Sequence, residues 1–253
     1  MSPSVGRSCQ YCVVSRLSYA GARRVAFGGD ASHRVSTAGD NSGKPQATVP
    51  VCMEYDAVGA HTPDRIETAP RRAAVLAPVV HRDGVPHVLF TRRAEDLGEH
   101  PGQMSFPGGG VESDDEGLTT TALREADEEI GLRPSEVTVV GRLDDIETVS
   151  EYAVSPFVGR VPDRRYTPAD GDGEVAEIAL LSVAALTDPD NYESERRHHP
   201  THGAIRLHFF HVDGYTVWGA TGRMLVQLLE LATDWRVPAA VDRVVDADAD
   251  LPN

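Results

Sequence analysis

Gly110-Val-Glu-Ser-Asp-Asp-Glu116-Gly-Leu-Thr-Thr-Thr-Ala122-Leu123-Arg124-Glu125-Ala126-Asp-Glu128-Glu129-Ile130-Gly131-Leu132 reads as a loop followed by a helix that stops at a glycine. Gly131 is suited to that stop because it tolerates a left-handed backbone that other residues resist. Ala122, Leu123, Ala126 and Ile130 recur at helical spacing and are expected to face a core. Glu125, Glu128 and Glu129 lie three or four apart on a neighbouring face, so the spacing brings the carboxylates together beside Arg124. Adjacent carboxylates repel, and a hard divalent cation such as Mg2+, which takes oxygen ligands and keeps waters, would neutralise them. The plainer alternative at this point is a solvated acidic face on an acidic protein.

The full spacing resembles the Nudix box, G-x5-E-x7-R-E-U-x-E-E-x-G-U with U a bulky aliphatic, from Gly110 through Glu116, Arg124, Glu125, Glu128, Glu129 and Gly131 to Leu132. Ala126 stands where a larger aliphatic is usual, a change that bears on packing more than on chemistry. The resemblance implies metal-dependent hydrolysis of a nucleoside diphosphate linked to another moiety, with Mg2+ or Mn2+. By position, Glu125 and Glu129 would be the principal metal ligands, Glu128 a further ligand or a base, and Arg124 the group that orients the acids. Glu116 would be the ion-pair partner of Arg124, and the carbonyl near Gly109 would complete the metal shell.

Upstream, Leu89-Phe-Thr-Arg92-Arg93 and His100-Pro-Gly-Gln103-Met-Ser105-Phe106-Pro107-Gly108-Gly109 run directly into the box. They resemble the additional motif of the coenzyme A pyrophosphatase branch, with Arg93 where serine is common. Arg142-Leu-Asp144-Asp145, Glu174-Val-Ala-Glu177 and Val217-Trp218-Gly-Ala-Thr221 also resemble it. The resemblance implies substrate contacts at Arg92, Arg93, His100, Gln103, Ser105, Gly108 and Gly109. The two arginines offer forked donors suited to phosphate, and the glycines let backbone approach a diphosphate closely. His100 reads either as a phosphate donor or as a loop cap. Glu177 reads either as a catalytic base reaching the metal site, alongside Arg124, Glu125, Glu128 and Glu129, or as a strand-end surface charge. Phe106 and Trp218 read as packing residues.

Charge divides the chain. The formal net charge is −15, yet before Met53 six basic residues stand against two acids, and that stretch holds all three cysteines and the single lysine. An acidic body whose cations are arginines suits a salt-rich cytoplasm, where screening shortens charge repulsion. Residues 1–52 are expected to be a disordered extension upstream of a start at Met53, or a transit peptide, which would move the protein from the cytoplasm to an organelle. Cys9-x2-Cys12 is half of a zinc or redox pattern with no second pair.

Residues 53–236 suffice for one domain. Segments 72–81 and 87–91 about Asp83-Gly84, 137–143, and 205–212 with 215–218 about Asp213-Gly214 read as strands. Segment 219–231 reads as a second helix. Together they predict α/β architecture, and the family resemblance implies a Nudix-type α/β/α sandwich with a mixed sheet. The tail 237–253 is expected to be acidic and mobile. No apolar run reaches membrane-spanning length. The expected partner is a small nucleotide derivative, coenzyme A or acyl-coenzyme A, with ADP-ribose, NADH or a dinucleotide as the alternative and a non-catalytic nucleotide sensor as a further one. No nucleic-acid or membrane partner is expected, and the sequence leaves the oligomeric state open.

Overall fold

The computed structural model describes residues 51–95, 102–148, 151–169, 173–199 and 203–245. The chain forms two units, residues 1–50 and 51–253, and the second carries every element described below. The expectation for the extension therefore falls almost wholly outside the described residues. Within them, Met53 is buried and the Glu54 amide donates to the Ala232 carbonyl at 2.7 Å.

In chain order the elements are α1 (Asp56–Ala60), β1 (Arg71–Arg82), β2 (Val85–Arg93), β3 (Met104–Ser105), β4 (Gly108–Gly110), α2 (Leu118–Ile130), β5 (Thr138–Arg142), β6 (Ile146–Glu147), β7 (Tyr152–Val161), β8 (Val175–Ser182), α3 (Val183–Leu186), β9 (Tyr192–His199), β10 (Gly203–Val212), β11 (Tyr215–Val217), α4 (Gly219–Ala232) and β12 (Arg243–Val245). A mixed sheet has the order β3-β2-β1-β7-β5, with β4, β6 and β8 paired onto β1, β7 and β2. A second sheet has the order β11-β10-β9-β12. Both expected hairpins form, and each turn places an aspartate and a glycine at positive φ, 51° and 79° at Asp83-Gly84 and 53° and 84° at Asp213-Gly214. Two consecutive positive φ angles match the right-handed twist of the flanking strands.

β1 is buried on both faces, which hides its alternation in the sequence. Ala74, Leu76 and Val80 pack with Ala122, Ala126 and Ile130 of α2. Ala73, Ala77 and Val79 pack on the other side with Met224, Leu225 and Leu228 of α4 and Phe210 and Val212 of β10. The result is the predicted α/β/α sandwich, with α2 on one face and α4 plus the second sheet on the other. The same parity governs β2 and β8. Leu89, Ile178 and Leu180 face the α2 layer, whereas Phe90, Ala179 and Leu181 face α4.

One expectation fails at the C-terminus. The segment predicted to be mobile from Val237 is docked as far as Val245. Arg206 donates to the Pro238 and Ala240 carbonyls at 2.8 Å each, Asp242 accepts from the Ser194 amide at 2.8 Å, and β12 runs parallel to β9. The Asp-rich tail finds partners instead: Arg206 of β10 holds its carbonyls, and β9 offers a strand edge with Ser194 for Asp242 and Glu193 for Arg243. Residues 246–253 lie outside the described residues. Among the described residues no helix is long and apolar enough to cross a membrane.

Candidate active site

α2 ends as the glycine predicts: Gly131 has φ 61°, and the Gly131 and Leu132 amides return to the Asp127 and Ala126 carbonyls. This fixes the last turn, which carries Glu128 and Glu129. Arg124 is the hub of the loop-helix unit. It donates to both Asp115 carboxylate oxygens at 3.2 Å, to the Gly110 carbonyl at 3.0 Å and to Glu128 at 2.8 Å, and it pairs with Glu125 at 3.0 Å and Glu112 at 3.6 Å. The arginine therefore orients acids, as the box implies, but its structural partner is Asp115 rather than Glu116. Glu116 is exposed, while the Asp115 side chain lies against Arg124 and also caps the loop through the Glu112 amide and the Thr121 hydroxyl. The Arg124 hydrogen bond, chiefly, holds the Asp115 carboxyl down to about 2.

Glu125 and Glu129 are set differently. Burial raises the carboxyl of Glu125 above the usual range despite Arg124. Burial, reinforced by the neighbouring Glu125, pushes Glu129 up to about 8, against the Gly108 amide and Arg93, which draw it down, and with Glu174 adding to the rise. Glu129 Oε2 is buried with no hydrogen-bond partner. Gly109 lies so close to Glu125 that a side chain there would collide with its carboxylate, and one at Gly108 would meet the backbone of β1. The close approach the two glycines allow here is to protein groups, the Glu125 carboxylate and the β1 backbone.

Among the described residues no three His, Cys, Asp or Glu side chains form a ready-made metal cluster. The set nevertheless suits a hard divalent cation. Mg2+ commonly uses one or two carboxylates and completes its shell with waters and substrate phosphates. Two neighbouring carboxylates with raised pKa values and an orphaned buried oxygen are groups such an ion would stabilise. Glu128, in contrast, is half-exposed and committed to Arg124.

The arginines upstream of the box are separated by strand alternation. Arg93 lies on the α2 side, close enough to Glu129 to lower its pKa. Its side-chain Nε is buried without a hydrogen-bond partner, and its backbone amide donates to the Gln103 carbonyl at 3.0 Å. Arg92 lies on the opposite face, opposite Glu177 in the ladder, and pairs with it at 3.4 Å. Glu177 therefore neither reaches the carboxylates nor sits as a lone surface charge: it accepts from the Tyr215 hydroxyl at 2.6 Å. The acid of this segment whose charge bears on Glu129 is Glu174. An irregularity in the β2–β8 ladder at Arg92 and Arg93 breaks the alternation before it, so strand parity in the sequence could not single it out. Ser105 bonds Thr91 at 3.0 Å, tying β3 to β2, and Gln103 reaches toward Gly219 at the start of α4. His100 lies outside the described residues. Asp144 and Asp145 prove to be staples. Asp145 is buried against Arg142, Ser155 and the Ile66 amide, and Asp144 accepts from His61 and the Asp64 amide. Phe106 is buried and stacks on Phe90 with centroids 5.0 Å apart.

A glycine-lined loop, an arginine-braced acidic helix and an α/β/α sandwich define a hydrolase built for phosphoric anhydrides. Residues 70–201 match the NUDIX domain, and the chain belongs to the Nudix hydrolase family. An uncharacterized Nudix hydrolase NudL of Enterobacter sp. (strain 638) is 36% identical over 160 residues, 62% of this chain and 81% of that protein. The NudL of Yersinia pestis (strain Pestoides F) is 37% identical over 161 residues, 63% of this chain and 79% of that protein. Among solved structures, a MutT/nudix family protein from Enterococcus faecalis aligns with a TM-score of 0.44 and 11% identity, covering 67% of this chain and 64% of that one. Divalent metal ions are the general requirement of this family.

Proposed function

We propose that this Nudix hydrolase cleaves the diphosphate of coenzyme A or acyl-coenzyme A, releasing 3′,5′-ADP and 4′-phosphopantetheine or its acyl form. The observation that carries the reading is the way the segment before the box is joined to the acidic helix. Arg93 donates its backbone amide to Gln103, β3 pairs with β2 at Thr91 and Arg92, and the Gly108 amide faces Glu129. The motif resembling the coenzyme A branch is thereby part of the same site as the box.

In this reading Glu125 and Glu129 hold Mg2+ or Mn2+ and Arg124 keeps Glu125 aligned. An ion held by these two carboxylates would supply a water of lowered pKa and a positive charge against the phosphate oxygens. Arg93 supplies a guanidinium beside Glu129 for the diphosphate, and Glu174 is the acid outside the box placed to take a proton from the attacking water. The domain that would do this runs from about residue 53 through β12, which ends at Val245.

The test is product analysis after incubating the purified chain with coenzyme A, ADP-ribose and NADH, each with Mg2+ or Mn2+. Formation of 3′,5′-ADP and 4′-phosphopantetheine is expected. AMP from ADP-ribose or NADH with coenzyme A left intact would overturn the coenzyme A assignment and leave the Nudix activity standing.

A further inference from the structure

Arg92, Glu177 and Tyr215 come from three strands, β2, β8 and β11, and the last of these belongs to the second sheet. Tyr215 donates to Glu177 Oε1 at 2.6 Å, and Glu177 Oε2 lies 3.4 Å from Arg92 Nε. An arginine facing a carboxylate ordinarily makes two parallel bonds that occupy both oxygens and one face of the fork. Here the tyrosine has taken one oxygen, and Arg92 Nε, buried without a hydrogen-bond partner, meets the other only as an ion pair. Among the described residues no hydrogen bond or ion pair engages the terminal nitrogens of Arg92. Both Arg92 and Glu177 are partly exposed, at 38% and 43% of their side chains. A cation with an open fork therefore stands at the mouth between the two sheets, at the end of the strand that also carries Arg93.

We infer that Tyr215 is a positioning residue: through Glu177 it holds Arg92 with its terminal nitrogens open to an anionic oxygen of the substrate. The hydroxyl restrains the carboxylate, which would otherwise rotate into the bidentate pair and block the fork. The inference rests on the pyrophosphatase reading only in requiring a phosphate-bearing ligand. Because Arg92 and Arg93 face opposite sides of the sheet, Arg92 would grip a part of the ligand other than the groups beside Glu129.

The experiment compares Tyr215→Phe, Glu177→Ala and the double variant in the full chain. KM and kcat are measured with Mg2+ and whichever of coenzyme A, ADP-ribose or NADH the wild type hydrolyses. Affinity for 3′,5′-ADP, whose phosphates stand apart from a diphosphate, is measured by calorimetry alongside, so the test keeps a readout that does not depend on turnover. Circular dichroism melts establish that each variant folds. Tyr215→Phe is expected to raise KM, or weaken ligand binding, about tenfold, the scale of one charge-assisted contact, with a much smaller change in kcat. Removing the carboxylate as well should restore affinity to within about threefold of wild type, because the blocking group is gone. An unchanged KM and affinity in Tyr215→Phe would overturn the proposal, as would a double variant no better than Tyr215→Phe. A collapse of kcat in Glu177→Ala with loss of one limb of the pH profile would also overturn it, by making Glu177 a proton acceptor.

Discussion

Two regions of this protein bury carboxylates, and they treat the charge in opposite ways. On β9, Glu195 is almost fully enclosed, and Arg197 answers it with bonds of 2.8 and 3.2 Å to one oxygen while Arg243 of β12 stands 3.6 Å from the other. On α2, the sole arginine of the helix is divided among Asp115, Glu112, Glu125 and Glu128, and Glu129 is left buried with an orphaned oxygen. A satisfied buried pair serves the fold, whereas an unsatisfied carboxylate is tolerated where a ligand will meet it. On the proposed reading of the site, the difference between β9 and α2 is that between a structural charge and a functional one.

The comparison breaks most visibly at Glu195. Replacing it by Gln removes the buried carboxylate charge that Arg197 and Arg243 both meet, so chemical denaturation should show a loss of about 3 kcal/mol. Turnover per folded molecule should be unaltered. At Glu129 and Glu125 the pattern reverses. Each change to Gln should lower kcat at least about a hundredfold, with stability at neutral pH little changed, because Gln keeps the shape of a carboxyl whose charged form burial already disfavours. Near-normal turnover in both variants would remove α2 from the metal site.

Ligand and pH effects sharpen the contrast. Mg2+ at ten times its dissociation constant should stabilise the wild type by about 1.4 kcal/mol in thermal melts, and should not stabilise the Glu125→Gln, Glu129→Gln double variant. Without divalent ion, pH should act through Glu129. Its folded pKa of about 8 lies above the ordinary glutamate value of 4.5, so the folded state binds the extra proton between those values. Metal-free stability should therefore be greatest at the acidic end of that window and decline as pH rises through 8. Glu129→Gln should flatten that slope, and so should Mg2+. A slope unchanged in the variant would place the titrating group elsewhere.

What local sequence could carry, it carried. The stop at Gly131, the two Asp-Gly hairpins, helix 219–231 and the packing of Ala122, Ala126 and Ile130 all follow from φ preference and apolar period, which act over a few residues. The convergence of Glu125 and Glu129 follows from helical spacing too. Other features needed partners distant in the chain. β9, Tyr192–His199, has the sequence YESERRHH and no apolar stripe, and it becomes an interior strand because β10 and β12 pair with it and supply counter-charges. β7 contains Pro156 yet lies parallel to β1 across ten residues, a pairing set by sheet order. The choice of Asp115 over Glu116 depends on how the loop folds back on Arg124, since the two acids differ by one position and no periodicity governs a loop. Arg92 and Arg93 are chemically alike in sequence, but successive strand residues point to opposite faces, so one meets Glu129 and the other meets Glu177 and Tyr215. Helical spacing could gather the acids of α2 around Arg124, while Arg93 and Glu174, the other charges that act on Glu129, stand in segments before and after the helix, and only packing brings those together.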